Sequence, residues 1–327
     1  MALRIFINGF GRIGRTITRM VLNGETDIEI TGINDIAPLE TCAYLFGYDS
    51  VFGPFPGGVE GRDGQLQAAG RSIPVYHAAD LSDLDLSGVD IVMECTGKAN
   101  TRAVAERGLR AGAGRVLISG PSPAADDTIV LGANQELLRD QPVISNASCT
   151  TNALAPLLRL LDEAAGVLSG HMTTVHCYTG SQPTVDAPRG SLSRSRAAAM
   201  SMVPTTTSAG QLIGVVLPHL KNRIEARAIR VPTASVSAID LTVQTRDPVT
   251  VEALNALVRS ADPSLFGYTE MPLVSTDLRA RPESLIVSGR ETSVSLGGVL
   301  RIFGWYDNEW GFSARMLDMA RRMGAMR

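Results

Sequence analysis

The sequence lacks the features that mark several classes of protein. No apolar run approaches the length of a membrane span, and no run of like charges indicates a charged tail. The formal net charge is −3, so no basic surplus argues for nucleic acid as a partner. No internal repeat or low-complexity segment is present. Residues 1–5 lead directly into a predicted strand and a glycine turn, so we expect no signal peptide.

Cysteine is also scarce, and its spacing does not match the usual metal patterns. The four cysteines are scattered along the chain: Cys42, Cys95, Cys149 and Cys177. None of them has the paired spacing of a metal site, so we expect no bound metal. Cys42 and Cys95 fit buried core positions. A working thiol fits a reducing, cytoplasmic environment best.

What the sequence does contain predicts an α/β fold. Its 327 residues are enough for two domains with sizeable cores, and its composition, 44% hydrophobic and 19% charged, is that of a soluble globular protein. Strands alternate with helices in the first half, which implies a parallel, doubly wound sheet. Beyond two strands near the N-terminus, the strands predicted there cover residues 89–95, 115–119, 128–132 and 142–144.

A glycine-rich turn follows the first predicted strand. Residues 9–14, GFGRIG, have the spacing G-x-G-x-x-G, and a helical pattern follows them. Gly9 would allow the tight turn, Gly11 the close approach of a pyrophosphate, and Gly14 the packing of helix on strand. Asp35 ends the second predicted strand about 20 residues later, where a carboxylate would bind the adenine ribose and repel a 2′-phosphate. The pattern predicts an NAD site; the alternative is that Asp35 only caps a helix or a turn.

The segment 145–152, SNASCTTN, predicts a nucleophile. An apolar strand enters it, and leucines at helical spacing leave it, so Cys149 lies where a strand turns into a helix. The positive end of that helix would favour a thiolate. A nucleophile of this kind needs a base, and His176 ends an apolar stretch downstream. The alternative for Cys149 is a buried, inert cysteine, and its polar neighbours argue against it. Taken alone, His176 is more simply interpreted as a satisfied core histidine.

The second half predicts a mixed sheet interrupted by a long loop. Its predicted strands and helices cover residues 170–179, 235–243, 251–260, 285–287, 299–306 and 314–320. The loop, residues 180–200, carries three arginines, and a loop of that length in a compact domain is usually functional. The hydroxyl groups of residues 205–208 either hold an anion or cap a helix. Taken alone, Arg194 and Arg230 are more simply interpreted as solvated charges on the surface.

Three segments together resemble the family of phosphorylating glyceraldehyde-3-phosphate dehydrogenases: 7–15 (INGFGRIGR), 145–152 (SNASCTTN) and 305–311 (WYDNEWG). The match runs nearly end to end. It implies a Rossmann NAD-binding domain over residues 1–148, completed by a C-terminal helix over 312–327. It also implies an α+β catalytic domain with a mixed or antiparallel sheet over 149–311, and a cytoplasmic homotetramer.

The resemblance further implies the roles of individual residues. Cys149 would attack the aldehyde and His176 would act as its base, and inorganic phosphate would then cleave the thioester to give 1,3-bisphosphoglycerate. Thr179 and Arg230 would bind the phosphate of the substrate. The attacking phosphate would contact Ser148, Thr150, Arg194, Thr207 and Ser208. Arg12 and Ile13 would follow the pyrophosphate of NAD, and Asn308 would orient the nicotinamide carboxamide. The full set of predicted NAD contacts is Gly9, Phe10, Gly11, Arg12, Ile13, Gly14, Asp35, Thr96, Ser119 and Asn308.

Three alternatives stay open at this point. The segment 285–290 is more similar to the erythrose-4-phosphate dehydrogenases, in which water resolves the thioester, whereas residues 178–179 and 205–207 are similar to the glyceraldehyde 3-phosphate enzymes. A Cys–His hydrolase or acyltransferase would not need the glycine turn. A catalytically silent protein, such as one that binds RNA, would need neither Cys149 nor His176, and the acidic balance counts against it.

Overall fold

The computed structural model describes residues 2–326, and the chain divides into two compact units. Unit 1 comprises Met1–Ile129, Glu136–Ala147 and Ser313–Arg327, and unit 2 comprises Val130–Gln135 and Ser148–Phe312. The last segment of the chain therefore belongs with the first unit. There Arg321 pairs with Asp27, with its Nε 2.6 Å from a carboxylate oxygen.

Unit 1 contains the strands and helices of the predicted α/β half. The strands are Leu3–Asn8 (β1), Ile28–Asn34 (β2), Tyr48–Asp49 (β3), Gly53–Pro54 (β4), Val59–Arg62 (β5), Gln65–Ala68 (β6), Arg71–Tyr76 (β7), Ile91–Glu94 (β8), Arg115–Ile118 (β9), Asp127–Thr128 (β10) and Val143–Ser145 (β11). The helices are Arg12–Leu22 (α1), Leu39–Gly47 (α2), Arg102–Ala105 (α3) and Arg107–Arg110 (α4).

The sheet of unit 1 confirms the predicted doubly wound arrangement. Its strand order is β10-β11-β9-β8-β1-β2-β7-β6-β5. All pairs from β10 to β7 are parallel, and only β7, β6 and β5 pair in antiparallel fashion. Because neighbouring parallel strands end at the same edge, β1, β2 and β8 bring Asn8, Asn34 and Glu94 together there.

One strand prediction in the first half is wrong in its extent. The apolar run 128–132 pairs as a strand only at Asp127–Thr128. Beyond it, the backbone N–H of Val130 donates to the side chain of Asn134 at 2.8 Å, which closes a turn in place of a ladder. An apolar run does not reveal such a side-chain bond to the backbone.

Unit 2 contains the remaining elements, together with the first residues of the last helix. They are Cys149–Ala165 (α5), Val167–Cys177 (β12), Val203–Thr205 (β13), Ala209–Val216 (α6), Ile224–Val231 (β14), Ser237–Thr245 (β15), Val251–Ser260 (α7), Phe266–Thr269 (β16), Leu285–Ser288 (β17), Ser293–Val294 (β18), Leu300–Tyr306 (β19) and Trp310–Gly324 (α8).

The sheet of unit 2 is mixed, as predicted. Its strand order is β13-β14-β12-β15-β19-β17-β16, with β18 paired to β19. The pairs β12–β14 and β16–β17 are parallel, and the others are antiparallel. None of the helices in the described chain combines the length and the apolar character needed to cross a bilayer.

Helix α5 is held by its apolar face. Leu154, Leu157, Leu158 and Leu161 are all buried, and each contributes about 2 kcal/mol by leaving water. The helix ends before Gly166, whose φ of 67° a residue with a Cβ adopts only with strain. This packing fixes the first turn of the helix, where Cys149 lies.

Candidate active site

Cys149 is the first residue of α5. Ser148 precedes it as the N-cap, and the Ser148 hydroxyl accepts a hydrogen bond from the backbone N–H of Thr151 at 3.1 Å. The capping hydroxyl satisfies one of the free donors of the first turn and holds the Cys149 backbone in place. The predicted position of Cys149 at the start of a helix is confirmed.

His176 lies beside Cys149. Its Nε2 is 3.7 Å from the Cys149 sulfur, and it comes from the penultimate position of β12. The imidazole is buried, and its Nδ1 lies 2.7 Å from the carbonyl oxygen of Cys177. Arg230, the register partner of His176 on β14, places a guanidinium nitrogen 2.7 Å from the same Nδ1. Three predicted residues thus meet at one point.

Burial dominates the electrostatics of this cluster. It lowers the pKa of His176 to about 4, and the charge of Arg230 acts in the same direction, so the imidazole is neutral at pH 7. Burial also raises the pKa of the Cys149 thiol, while hydrogen bonding from Thr150 and the charge of Arg230 oppose the rise. The net direction for Cys149 is opposite to the lowering that its place at a helix start predicts, because desolvation disfavours the thiolate more strongly.

Tyr306 is a buried member of the site that the sequence analysis missed. Its hydroxyl bonds the hydroxyls of Thr150, at 2.9 Å, and Thr174, at 2.7 Å. Its ring meets that of His176 edge-on, with centroids 6.1 Å apart. The sequence does contain a signal for Tyr306, which is a tyrosine at the end of an apolar strand. A tyrosine buried there needs a polar partner for its hydroxyl, so a polar site near the strand end is expected.

Arg194 meets the predicted hydroxyl cluster. Its Nε donates to the Thr205 hydroxyl at 2.7 Å, and its Nη2 donates to the Thr206 carbonyl at 3.1 Å. Thr207 accepts the backbone N–H of Ala209 at 3.2 Å, so that hydroxyl caps the start of α6. The cluster therefore combines one guanidinium with hydroxyls; the capping interpretation is confirmed for Thr207, and anion binding stays a prediction.

The other residues predicted to bind phosphate make local bonds. The Thr179 hydroxyl shares a hydrogen bond of 2.9 Å with that of Ser181, while Arg230 bonds His176 and the Cys177 carbonyl. Ser208 precedes α6 but makes no side-chain cap bond to it.

The glycine turn of unit 1 has the predicted geometry. Gly9 has a φ of 94°, and a Cβ there would lie 2.8 Å from the backbone of Cys95 and Thr96. A Cβ on Gly14 would lie 2.2 Å from the Gly9 carbonyl oxygen, whereas one on Gly11 would meet nothing within 4 Å. Two glycines are thus required by packing, and Gly11 leaves open space at the start of α1.

Asp35 supports this turn with both carboxylate oxygens. One accepts the backbone N–H of Phe10 at 2.7 Å, and the other accepts that of Ala37 at 2.9 Å. The turn-capping alternative is therefore correct for these two bonds. Asp35 also lines a cavity of about 330 Å³, together with Gly11, Lys98 and Arg107 among others.

One expectation near the turn needs correction, that of a buried Cys95, whereas the contact of Arg12 and Ile13 with a pyrophosphate stays a prediction. The Arg12 side chain pairs with Asp49 and lies over the ring of Phe52, 5.4 Å from its centroid. Its guanidinium is therefore engaged within the protein. Ile13 is partly buried in the first turn of α1. Cys95 is only partly buried and lines the same cavity, whereas Cys42 is buried as expected.

A polar network at the sheet edge was not predicted. Asn34 donates to Asn8 at 2.9 Å, Asn8 donates to Glu94 at 2.5 Å, and the Thr96 backbone N–H donates to Glu94 at 3.0 Å. The backbone N–H of Ser119 donates to the Glu94 carbonyl at 3.0 Å. The signal in the sequence is one polar residue at the end of each apolar strand. The network places Thr96 and Ser119 at the carboxyl edge, as predicted.

Comparison with known proteins covers almost the whole chain. Residues 3–102 match the family model described as "Glyceraldehyde 3-phosphate dehydrogenase, NAD binding domain", and residues 148–308 match "Glyceraldehyde 3-phosphate dehydrogenase, C-terminal domain". Proteins named glyceraldehyde-3-phosphate dehydrogenase from Cereibacter sphaeroides and Xanthobacter flavus are each 45% identical over all of both chains, and one from Pseudomonas aeruginosa is 43% identical over all of both chains. Within residues 2–326, no group of three or more histidine, cysteine or acidic side chains could hold a metal ion.

Proposed function

The chain belongs to the glyceraldehyde-3-phosphate dehydrogenase family and is an NAD-dependent oxidoreductase, and we propose that it converts glyceraldehyde 3-phosphate and inorganic phosphate to 1,3-bisphosphoglycerate through a thioester on Cys149. The observation that carries the proposal is the 3.7 Å contact between the Cys149 sulfur and His176 Nε2 at the start of α5. A nucleophile and a base in contact are what acyl transfer through sulfur requires.

The residues present fit a dinucleotide. The positive φ of Gly9 and the open space at Gly11 form a cradle that a side chain would fill. We assign the pyrophosphate to backbone donors of the turn, Asp35 to the adenine ribose, and Asn308 to the nicotinamide carboxamide. Thr96 and Ser119 flank the cradle at the strand ends. When bound, the nicotinamide supplies the hydride acceptor.

His176 moves the protons of the oxidation. As the Cys149 sulfur attacks the aldehyde carbon, the thiol proton passes to Nε2 and returns to the new oxyanion, which gives a thiohemiacetal. Nε2 takes the hydroxyl proton again as the hydride leaves that carbon, and the thioester results. This role needs the ring hydrogen on Nδ1, and the Cys177 carbonyl at 2.7 Å is its acceptor.

Arg230 contacts His176 in the free protein, and we assign it a second role in binding the substrate. A guanidinium has no lone pair, so its contact with Nδ1 requires that nitrogen to be without hydrogen. The two arrangements of His176 are therefore exclusive. We assign Arg230, with Thr179, to the phosphate of the substrate. When that phosphate binds the guanidinium and draws it away from His176, Nδ1 of His176 can carry the ring hydrogen, and Nε2 then has the lone pair that a base needs.

The attacking phosphate is assigned to Arg194 and its hydroxyl neighbours. Arg194 is on the loop 180–200 and is already ordered against Thr205 and Thr206. The remaining residues of this assignment are Ser148, Thr150, Thr207 and Ser208. A phosphate oxygen bonds the thioester carbon, the C–S bond breaks, and the electron pair returns to the Cys149 sulfur. A guanidinium supplies the compensating charge that such an anion needs.

The experiment measures NADH formation across a phosphate titration, with glyceraldehyde 3-phosphate and with erythrose 4-phosphate. Wild type requires phosphate and prefers the first substrate. In Arg194→Ala, the apparent KM for phosphate rises about 10- to 100-fold, as the loss of a charge-assisted hydrogen bond predicts, while the first turnover persists. Arg196→Ala is the matched control, because Arg196 lies on the same loop but pairs with exposed Asp186 at 2.8 Å. Turnover that is independent of phosphate would replace the proposal with the erythrose 4-phosphate reaction.

The domain limits and the assembly complete the proposal. We assign residues 1–148 and 312–327 to NAD binding and 149–311 to chemistry. The chain works as a cytoplasmic homotetramer, which the family resemblance supports, and its described cysteines are free, as a reducing compartment requires. Light scattering of the purified protein measures the subunit number directly.

A further inference from the structure

The side chain of Asn308 is held at one end by two donors. Its Oδ1 accepts hydrogen bonds from the thiol of Cys177, at 3.1 Å, and from the hydroxyl of Ser237, at 3.3 Å. All three residues are buried, with Cys177 and Ser237 each 1% exposed and Asn308 8% exposed. Side chains packed this closely have little freedom to exchange partners.

The direction of each bond follows from its surroundings. Ser237 Oγ already accepts the backbone N–H of Cys177 at 3.2 Å, so its hydrogen is available for Asn308. The Cys177 thiol keeps its proton, because burial raises its pKa to about 12. Both groups therefore donate, and the carbonyl end of the Asn308 amide is taken. Across residues 2–326 the Nδ2 end makes no hydrogen bond, which leaves two donors for a ligand.

The sheet of unit 2 places these residues. Cys177 ends β12, Ser237 begins β15, and Asn308 follows the end of β19 by two residues. Ser237 is the register partner of Tyr306, so the three strand ends meet at one edge. Asp307 accepts the backbone N–H of Glu309 at 2.9 Å, which fixes the main chain next to Asn308.

On the proposed function, in which Asn308 contacts the nicotinamide carboxamide, we propose that Cys177 and Ser237 are positioning residues that hold the Asn308 amide with Nδ2 toward the carboxamide oxygen. They thereby set the rotation of the nicotinamide ring and the face that receives the hydride. Cys177 supports the reaction twice, because its carbonyl is also the acceptor for His176 Nδ1. Asn308 touches the cofactor; Cys177 and Ser237 act through it.

The first test compares the binding of NAD and of ADP-ribose, which lacks the nicotinamide, by calorimetry. In Cys177→Ala, the Kd for NAD rises about three- to tenfold, as the loss of one buried hydrogen bond predicts, and the Kd for ADP-ribose is unchanged. Cys177→Ser, which keeps a donor, restores NAD binding. Ser237→Ala weakens NAD binding in the same way. Ser235→Ala is the matched control, because the buried Ser235 hydroxyl has no hydrogen-bond partner among the described residues.

The second test follows the face of hydride transfer with a deuterated aldehyde. Wild type labels one face of the reduced nicotinamide, and Cys177→Ala labels both. Equal weakening of NAD and ADP-ribose binding, or unchanged NAD binding in Cys177→Ala, overturns the inference. Asn308→Ala separates the two proposals: if it leaves NAD binding unchanged, the assignment of Asn308 fails, and the inference fails with it. If Asn308→Ala weakens NAD binding and Cys177→Ala does not, only the inference fails. Melting curves and the Cys177→Ser variant keep the test valid if the alanine variant folds poorly.

Discussion

The starts of α1 and α5 are both places where the chain passes from a strand into a helix, and they are built in opposite ways. Gly11 precedes α1 and makes no side-chain cap, and a Cβ there would meet nothing within 4 Å, so the start of the helix keeps open space. Ser148 precedes α5 and caps it, and Cys149, the proposed nucleophile, occupies the first helical position. A bare helix start can receive an anion of the cofactor. A capped start holds a side chain still for chemistry.

Cys149→Ala removes the chemistry at α5 and leaves α1 intact. Turnover falls by about 10⁴-fold or more, because no other group can carry the thioester. NAD still binds, since the glycine turn is unchanged. Steady-state NADH formation and calorimetric NAD binding measure the two effects. Cys42→Ala is the control for a buried cysteine outside the site, and it retains activity. Substantial turnover in Cys149→Ala would remove it as the nucleophile.

Arg230→Gln tests how far the start of α5 depends on charge from β14. Arg230 lowers the pKa of both His176 and Cys149, so its removal raises both. His176 is then protonated at higher pH and loses its lone pair earlier as pH falls, while thiolate formation needs higher pH. The pH profile of kcat/KM therefore moves upward, and its maximum falls about 100-fold through loss of a charge-assisted contact.

The control for this variant is an aldehyde without phosphate, such as glyceraldehyde. With it, the part of the loss that comes from binding the substrate's phosphate disappears, and the upward shift of the pH profile persists. An unshifted profile with either substrate would show that Arg230 acts only on the phosphate and not on the pair formed by Cys149 and His176.

Gly11→Ala is the reverse experiment, because it fills the open space at α1. The Kd for NAD rises about 30-fold as the added methyl group meets the pyrophosphate. The melting temperature stays near that of wild type, since a Cβ there meets nothing within 4 Å. Gly9→Ala differs: its positive φ and its clash with Cys95 lower the melting temperature by about 2–4 °C. If Gly11→Ala binds NAD like wild type, the cradle lies elsewhere.

The two helix starts also differ in how well the sequence predicts them. The turn before α1 is local, and the glycine spacing between a predicted strand and a predicted helix indicates a backbone that can approach a ligand. The pair at α5 joins residues 27 apart in sequence, and with four histidines in the chain spacing alone does not choose His176. The family resemblance supplied that choice. The desolvation of the partly buried Cys149, which reverses its expected pKa shift, depends on packing that no local pattern encodes.

The smallest expected effect concerns Asp35. Its carboxylate accepts a hydrogen bond from the turn before α1, and we propose that its charge also acts on the cofactor. Asp35→Asn keeps one acceptor for the turn but removes the charge that repels a 2′-phosphate. Lys98, Arg107 and Glu94 line the same cavity, and Arg107 also pairs with Asp80 at 3.2 Å, so Asp35 is one of several charges that a 2′-phosphate would meet there. We expect the ratio of kcat/KM for the two cofactors to fall about fivefold, the change that roughly 1 kcal/mol of screened repulsion gives. Asp63→Asn, on an exposed hairpin, is the control. An unchanged ratio would leave Asp35 as a support of the turn alone and assign the discrimination to the shape of the cavity.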